Sequence, residues 1–158
     1  MSPDRPDPAF HLVMYEPEIP QNSGNVGRLC LGVGARLHLV HPLGFEVDDR
    51  AVRRAGLDYW HLVDLVEHVD GAAFWAWAAG RSCYLFTSLA ERSYVHIPFC
   101  RGDVYVFGRE SVGLPQALVD EHGGWRLPMV GATRSMNVSN VAAVVAYEAL
   151  QRIEPGIF

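Results

Sequence analysis

Lysine is absent from this 158-residue chain, and all 13 cationic residues are arginine. Genomic base composition is the plainest source of that bias, although arginine is also the better side chain for bidentate phosphate contacts and for stacking on bases. Cysteine is scarce: Cys30, Cys83 and Cys100 are odd in number, and none stands in a CxxC or metal-finger spacing. This excludes a paired-cysteine framework and reads as free thiols in a reducing, cytoplasmic compartment. No stretch approaches the ~20 apolar residues of a membrane span. The opening MSPDRPDPAF lacks the apolar core of an export signal. HExxH, P-loop, GxSxG, EF-hand and GxGxxG motifs are missing, as are internal repeats and linkers, and the 7 histidines are scattered. No metal is expected.

What remains is ordinary globular usage, 49% apolar and 20% charged. The length suits one domain over residues 1–158, burying roughly two-thirds of its unfolded surface. Residues 1–8, rich in proline and aspartate, are expected to form a disordered leader. A formal net charge of −5 is unfavourable for an autonomous nucleic-acid binder. The arginines cluster, however: Arg28, Arg36, Arg50, Arg53 and Arg54 lie close together in the sequence. A local field acts over about 8–10 Å whatever the total charge.

Hydrophobic patterning alternates strands with helices. Residues 10–15 (FHLVMY) read as a buried strand. Residues 16–25 (EPEIPQNSGN) form a turn into a helix that continues through 26–35 and stops at Gly32 and Gly34. Residues 36–41 alternate as a second strand. Residues 48–55 open with acids and close with arginines, which suits a helix with Gly56 as its C-cap. Short strands are expected at 60–63, 82–87, 104–107 and 125–129, a buried helix at 71–79, a helix at 114–122 and the longest helix at 137–152. Residues 141–147 are apolar without interruption, which demands burial on most sides or packing against another subunit. The alternation predicts an α/β fold, a mainly parallel sheet with helices on both faces.

Three loops follow predicted strands and concentrate glycine, proline and small polar residues. In open α/β sheets the ligand crevice lies at those strand ends. The first loop, PQNSGNVGR, sets Asn22 and Arg28 around a helix start, where first-turn amides and the guanidinium could address an anion. An N-cap followed by a solvated arginine is the plainer alternative. The second, FGRESVGLP, puts Gly108 directly after a strand, allowing close approach to the backbone, and Glu110 at the crevice mouth. A capping carboxylate on a surface turn would look the same. The third runs from Leu127 to Asn140 (LPMVGATRSMNVSN). Ser135, Asn137, Ser139 and Asn140 are more than one helix cap needs. The Leu, Pro, Met, Gly and Ala residues before them could clasp an adenine and a thioether.

Together, YEPEIPQNSGNVGRLC, HPLGF with RRAGLDYW, VFGRESVGLP and LPMVGATRSMNVSNVAAVVAYEAL resemble the motifs of the SPOUT superfamily of knotted methyltransferases. The match is closest to the small tRNA (cytidine(34)-2′-O)-methyltransferases and covers residues 11 to about 152. The resemblance implies a C-terminal deep trefoil knot (the SPOUT, or α/β-knot, fold), which connection rules alone would not suggest. It also implies a cytoplasmic homodimer whose partner is tRNA rather than DNA or a membrane. The implied reaction moves a methyl group from S-adenosyl-L-methionine, leaving S-adenosyl-L-homocysteine. The implied acceptor is the ribose 2′-hydroxyl of the wobble nucleotide, cytidine or modified uridine at position 34, in leucine tRNAs. By motif match, Phe86, Gly108, Leu127, Met129, Ser135 and Asn140 would hold the cofactor. Asn22, Arg28, Glu110, Ser135 and Asn137 would face the ribose and the methyl group, and Arg28, Arg53 and Arg54 would contact RNA. The same motifs leave open another tRNA position, ribosomal RNA, or a non-catalytic RNA-binding factor of this fold. An NAD or flavin domain is a more distant rival, since no acid closes the second strand to hold a ribose.

Overall fold

Five consecutive buried residues, His11–Tyr15, form the first strand, β1, in a computed structural model that describes residues 6–47 and 58–158. Helix α1 (Pro20–Val33) follows and ends at Gly34, whose left-handed backbone (φ 68°) glycine adopts at no steric cost. Strand β2 (Arg36–Val40) returns alongside β1. Then come β3 (Leu65–His68), α2 (Gly71–Ala78), β4 (Cys83–Phe86) and the two-residue β5 (Arg92–Ser93). The chain closes with β6 (Val104–Phe107), α3 (Gln116–His122), β7 (Trp125–Arg126) and α4 (Val138–Ile153).

The strands make one 7-stranded sheet in the order β3-β2-β1-β6-β4-β7-β5. Every pairing between them is parallel. Alternation sorts the side chains to two faces. Leu12 and Met14 of β1, with Leu37 and Leu39 of β2, meet Val26 and Cys30 of α1 and Ala142, Val145 and Ala146 of α4. Val13, Tyr15, Val40, Val104 and Val106 face Phe74 and Ala78 of α2, with Leu118 and Val119 of α3 beside them. A parallel sheet covered on both faces is the expected architecture.

Several boundaries differ from the sequence reading. The strand expected at 60–63 is a 3₁₀ turn, Trp60–Leu62. Its indole lies on α1, where a β-carbon on Gly27 would stand 2.7 Å from it, and the third strand forms a few residues later instead. The strand expected at 125–129 stops at Arg126, because Pro128 cannot donate to a ladder. The helix at 71–79 is only half-buried: Phe74 and Ala78 turn inward while Ala72 and Ala76 face solvent. The first helix starts at Pro20, ahead of the expected cap. The helix at 48–55 with its Gly56 cap, and residues 1–5 of the leader, lie outside the described residues. Pro8 is buried.

Two loops at the C-terminal edge of the sheet are keyed together. The Gly44 N–H donates to the Pro17 carbonyl at 2.9 Å, and a β-carbon on Gly44 would lie 2.8 Å from both Cα and O of Glu18. These are backbone atoms, so nothing flexible can yield. Gly44→Ala is therefore expected to cost about 1–3 kcal/mol, the range for forced overpacking, read as a lowered urea midpoint at unchanged slope. A wild-type midpoint would show that the two loops are not held together.

Candidate functional site

Sequence order and sheet order part company between β1 and β6. From β1 the chain builds outward to β2 and β3, and the later strands lie on the other side. Such a switch point opens a crevice at the C-terminal strand ends. The loop after β1 (residues 16–19) and the loop after β6 (residues 108–115) meet there.

Three side chains join across that crevice. The Glu110 carboxylate accepts from the Glu18 N–H (2.8 Å), the Ile19 N–H (3.2 Å) and the Asn22 side-chain amide (3.2 Å). Asn22, buried in the first turn of α1, accepts from the Asn137 side-chain amide at 3.1 Å. Asn137 in turn accepts from the Ser139 N–H (2.9 Å) and hydroxyl (2.6 Å), and so caps α4. Asn22, Glu110 and Asn137 thus form one hydrogen-bonded chain, built from all three motif loops. All three donors to Glu110 belong to its own protein. Asn137 spends one of its two amide hydrogens on Asn22.

Two contacts that sequence reasoning missed zip the same loops together. Arg109 pairs with Glu16, and the Ser111 hydroxyl donates to the Glu18 carboxylate at 2.6 Å. No local pattern signals them, because the partners are 93 residues apart. Glu16 holds a left-handed backbone (φ 52°) in this turn.

Arg28 stands apart from the Asn22–Glu110–Asn137 chain. It is exposed on α1, its guanidinium 5.7 Å from the centre of the Tyr59 ring. The Tyr59 hydroxyl donates to the Gly24 carbonyl at 3.0 Å, which pins the ring to the helix. Arg28 and Tyr59 line a surface recess with Leu31, Gly32 and Asp58. Arg53 and Arg54 lie outside the described residues.

Of the expected cofactor residues, Phe86, Gly108 and Leu127 fall on adjacent strand ends, Met129 and Ser135 lie in the loop after β7, and Asn140 lies in the first turn of α4. Phe86 is in register with Phe107 on one side and with Trp125 on the other, so Gly108 and Leu127 follow neighbouring strands. Gly108 has a structural reason to be glycine, since a side chain there would strike the backbone of Gly113 and Leu114. Leu127 and Met129 are half-buried, and Ser135 and Asn140 are exposed. Residues 127–134 make no backbone–backbone hydrogen bond to a described residue. Leu89, Val112 and Val130, one on each loop after β4, β6 and β7, are 81%, 72% and 102% exposed. Unspent amides and carbonyls beside apolar side chains are what a purine with a thioether tail requires. Among the described residues no group of histidine, cysteine or carboxylate side chains could hold a metal, and no helix is long and apolar enough to cross a membrane.

Comparison with known proteins agrees with this geometry. The model of the SpoU rRNA Methylase family matches residues 9–147. The tRNA (cytidine(34)-2′-O)-methyltransferase of Methylovorus glucosotrophus (strain SIP3-4) is 46% identical over 144 residues, covering 89% of this chain and 93% of that protein. A solved structure described as giving insights into the 2-OH methylation of C/U34 on tRNA superposes with a TM-score of 0.87 at 41% identity, covering 93% of this chain and 97% of that one. The SpoU methyltransferase AviRb of Streptomyces viridochromogenes, solved with AdoMet, shares the fold at 23% identity. Its TM-score is 0.77, covering 95% of this chain and 59% of that one.

Replacing Glu110 by glutamine puts an amide hydrogen where only acceptors fit. Glu110→Gln is expected to lose about 1–3 kcal/mol of stability, the cost of charge-assisted bonds broken with donors left unpaired, measured by urea unfolding. Full stability in that variant would mean that Glu110 does not organise the crevice.

Proposed function

The chain belongs to the SpoU rRNA methylase family, and from that premise we propose that it methylates the ribose 2′-hydroxyl of the wobble nucleotide of tRNA. The acceptor is cytidine or modified uridine at position 34, in leucine tRNAs as the motif resemblance implies. The observation that carries this reading is the Glu110–Asn22–Asn137 chain at the β1/β6 crevice. The relative from Methylovorus glucosotrophus, named for this reaction, adds support.

Phe86, Leu127 and Met129 would hold S-adenosyl-L-methionine by apolar contact, with the backbone after Gly108 and Ser135 and Asn140 at its polar edge. The cofactor's sulfonium supplies an already activated methyl group, so the protein's work is alignment. Asn137 offers its second amide hydrogen to the ribose, and Asn22 and Glu110 hold it there. Arg28 cannot be the base, because a guanidinium stays protonated in proteins. Its role is to bind the neighbouring phosphate and stabilise the charge that develops on the ribose oxygen. The proton passes to a phosphate oxygen or to water. Arg53 and Arg54 add phosphate contacts.

A trefoil knot belongs to the same proposal. The chain after β7 must return along residues 127–137 to seat α4 on α1 and β6, and a knotted crossing fits that route. So does a homodimer: α4 turns Val144 and Tyr147 outward, and Ile157 and Phe158 beyond it are 65% and 63% exposed. A second copy would cover these apolar side chains.

The direct test incubates the protein with labelled S-adenosyl-L-methionine and undermodified tRNA, then maps the labelled nucleotide. Label on the 2′-oxygen of nucleotide 34 is expected. Label only on ribosomal RNA would replace the substrate assignment and keep the chemistry. Arg28→Lys is expected to bind cofactor normally yet lose most turnover, because a point charge cannot reproduce a planar fork. Wild-type turnover in that variant would remove Arg28 from the reaction.

A further inference from the structure

Three of the 7 scattered histidines are not scattered in space. His11, His38 and His68 stand on β1, β2 and β3 and are 3%, 0% and 7% exposed. His11 Nδ1 lies 2.9 Å from His38 Nε2, and His38 Nδ1 lies 2.9 Å from His68 Nε2. The strand register explains the ladder. Val13, two residues beyond His11, pairs with His38, and Val40, two residues beyond His38, pairs with His68. All three rings therefore emerge on the face that α2 covers, stepping diagonally across three strands.

Helix α2 closes over the ladder with one indole. The Trp77 ring centre is 5.1, 4.3 and 5.6 Å from those of His11, His38 and His68. Phe74 packs edge-on to His68 at 5.3 Å, and the Arg81 guanidinium lies 4.4 Å over the far partner, Trp77. The charged groups acting on the ladder are Arg81 at the end of α2, Arg36 on β2, Asp64 ahead of β3 and Asp7 ahead of β1. His41 and Glu67 pair with each other at the top of β2 and β3.

Proton counting gives the ladder two regimes. A neutral imidazole carries one donor and one acceptor. Three neutral rings can satisfy both internal bonds by pointing the same way. One added proton is tolerated by the bonding: on His38 it makes that ring donate to both neighbours, and on an outer ring it takes the nitrogen that faces away from the ladder. A second proton breaks the ladder, because some pair of facing nitrogens must both carry hydrogen.

We propose that the His11–His38–His68 ladder is an acid-sensitive latch that holds α2 on the β1–β2–β3 half of the sheet while it carries at most one added proton and releases the helix when it takes up a second. Burial, assisted by Arg81 and Arg36, lowers His11 from 6.5 to about 4. Burial and the neighbouring rings lower His38 to about 2, and burial lowers His68 as well. The released state titrates near the ordinary 6.5. The latched state thus binds fewer protons, so the stability that the ladder contributes is complete above pH 6.5 and is lost as pH falls from there toward 4. Release would travel to the crevice through Tyr15, which packs edge-on to Phe74 at 6.2 Å and leads directly into the loop that meets Glu110.

The test uses the full chain and needs no RNA, so it stands or falls separately from the methyltransferase assignment. Urea unfolding between pH 8 and pH 4.5 gives the protons taken up on unfolding from the pH slope of stability. About two to three ladder protons are expected at pH 5. The double variant His11→Asn/His68→Gln replaces the outer rings by amides that can still bond to His38. It is expected to lower the uptake by more than one proton and at most two. Equal uptake in the variant and the wild type would overturn the latch. Imidazole nitrogen resonances of the folded wild-type protein provide a check that needs no variant: His11 and His38 should remain neutral above pH 5, and His68 should titrate below the ordinary 6.5. A ladder ring that titrates near 6.5 in the folded protein would sink the proposal.

Discussion

A helix that begins with Ile19 and Pro20 has orphan amides and no side chain of its own to meet them. Glu110 meets the N-cap amide of Ile19, and the Glu18 amide just ahead of it, from 91 and 92 residues away, and its charge lies at the positive end of the α1 dipole. The same carboxylate fixes the amide of Asn22, which leaves the Asn22 oxygen for Asn137, 115 residues further on. Asn137, so oriented, caps α4. The interaction that arms the crevice is therefore also one that fastens α1, the β6 loop and α4 to one another. None of it can exist until β1 and β6 are neighbours, so the site forms only when the sheet has assembled across its switch point.

The parts legible in the sequence are those whose cause is local. Val104–Phe107 is a short apolar run between turn residues, and its bounds are as expected. The α1 stop is legible because Gly34 takes a conformation that glycine favours. The surplus of serine and asparagine around residue 137 is legible as more than a cap, and Asn137 indeed both caps α4 and reaches Asn22. What escaped depends on distant partners. Trp60–Leu62 has strand-like side chains, yet the indole finds a better surface on Gly27 of α1. Leu65–His68 was overlooked because Glu67 and His68 blunt its apolar run, whereas it pairs on one side only and needs no continuous run. The role of Glu110 was hidden because two of its three donors are backbone amides, which carry no residue identity.

The histidine ladder shows the same limit from the other side of the sheet. One face of β1 and β2 is filled by Leu12, Met14, Leu37 and Leu39, and an aliphatic pattern of that kind is read at once. On the opposite face His11 and His38 occupy positions where apolar residues would serve the core equally well. Burying a polar ring is unfavourable unless it is hydrogen-bonded, so each histidine is tolerable only because the next strand supplies another at the right register. A residue that is costly alone and satisfied in company cannot be judged one position at a time.

Charge follows a similar logic. A net charge of −5 argues against RNA binding only if all arginines are equivalent, and they are not. Arg36, Arg101, Arg109 and Arg152 are each paired with a carboxylate, and Arg81 and Arg92 lie over Trp77 and Trp125. Their charge is matched or stacked within the protein. Among the described residues that leaves Arg126 and Arg134, both exposed, and Arg28, which is exposed and lies only loosely over Tyr59 at 5.7 Å. Arg28 stands six positions after Asn22 on one helix, about 9 Å along its axis. Phosphate contacts from these three alone release few counterions, so their own electrostatic share of affinity is small. Discrimination then rests on stacking and on the shape of unpaired nucleotides. The proposed substrate, a nucleotide in a single-stranded loop, is consistent with that distribution of charge.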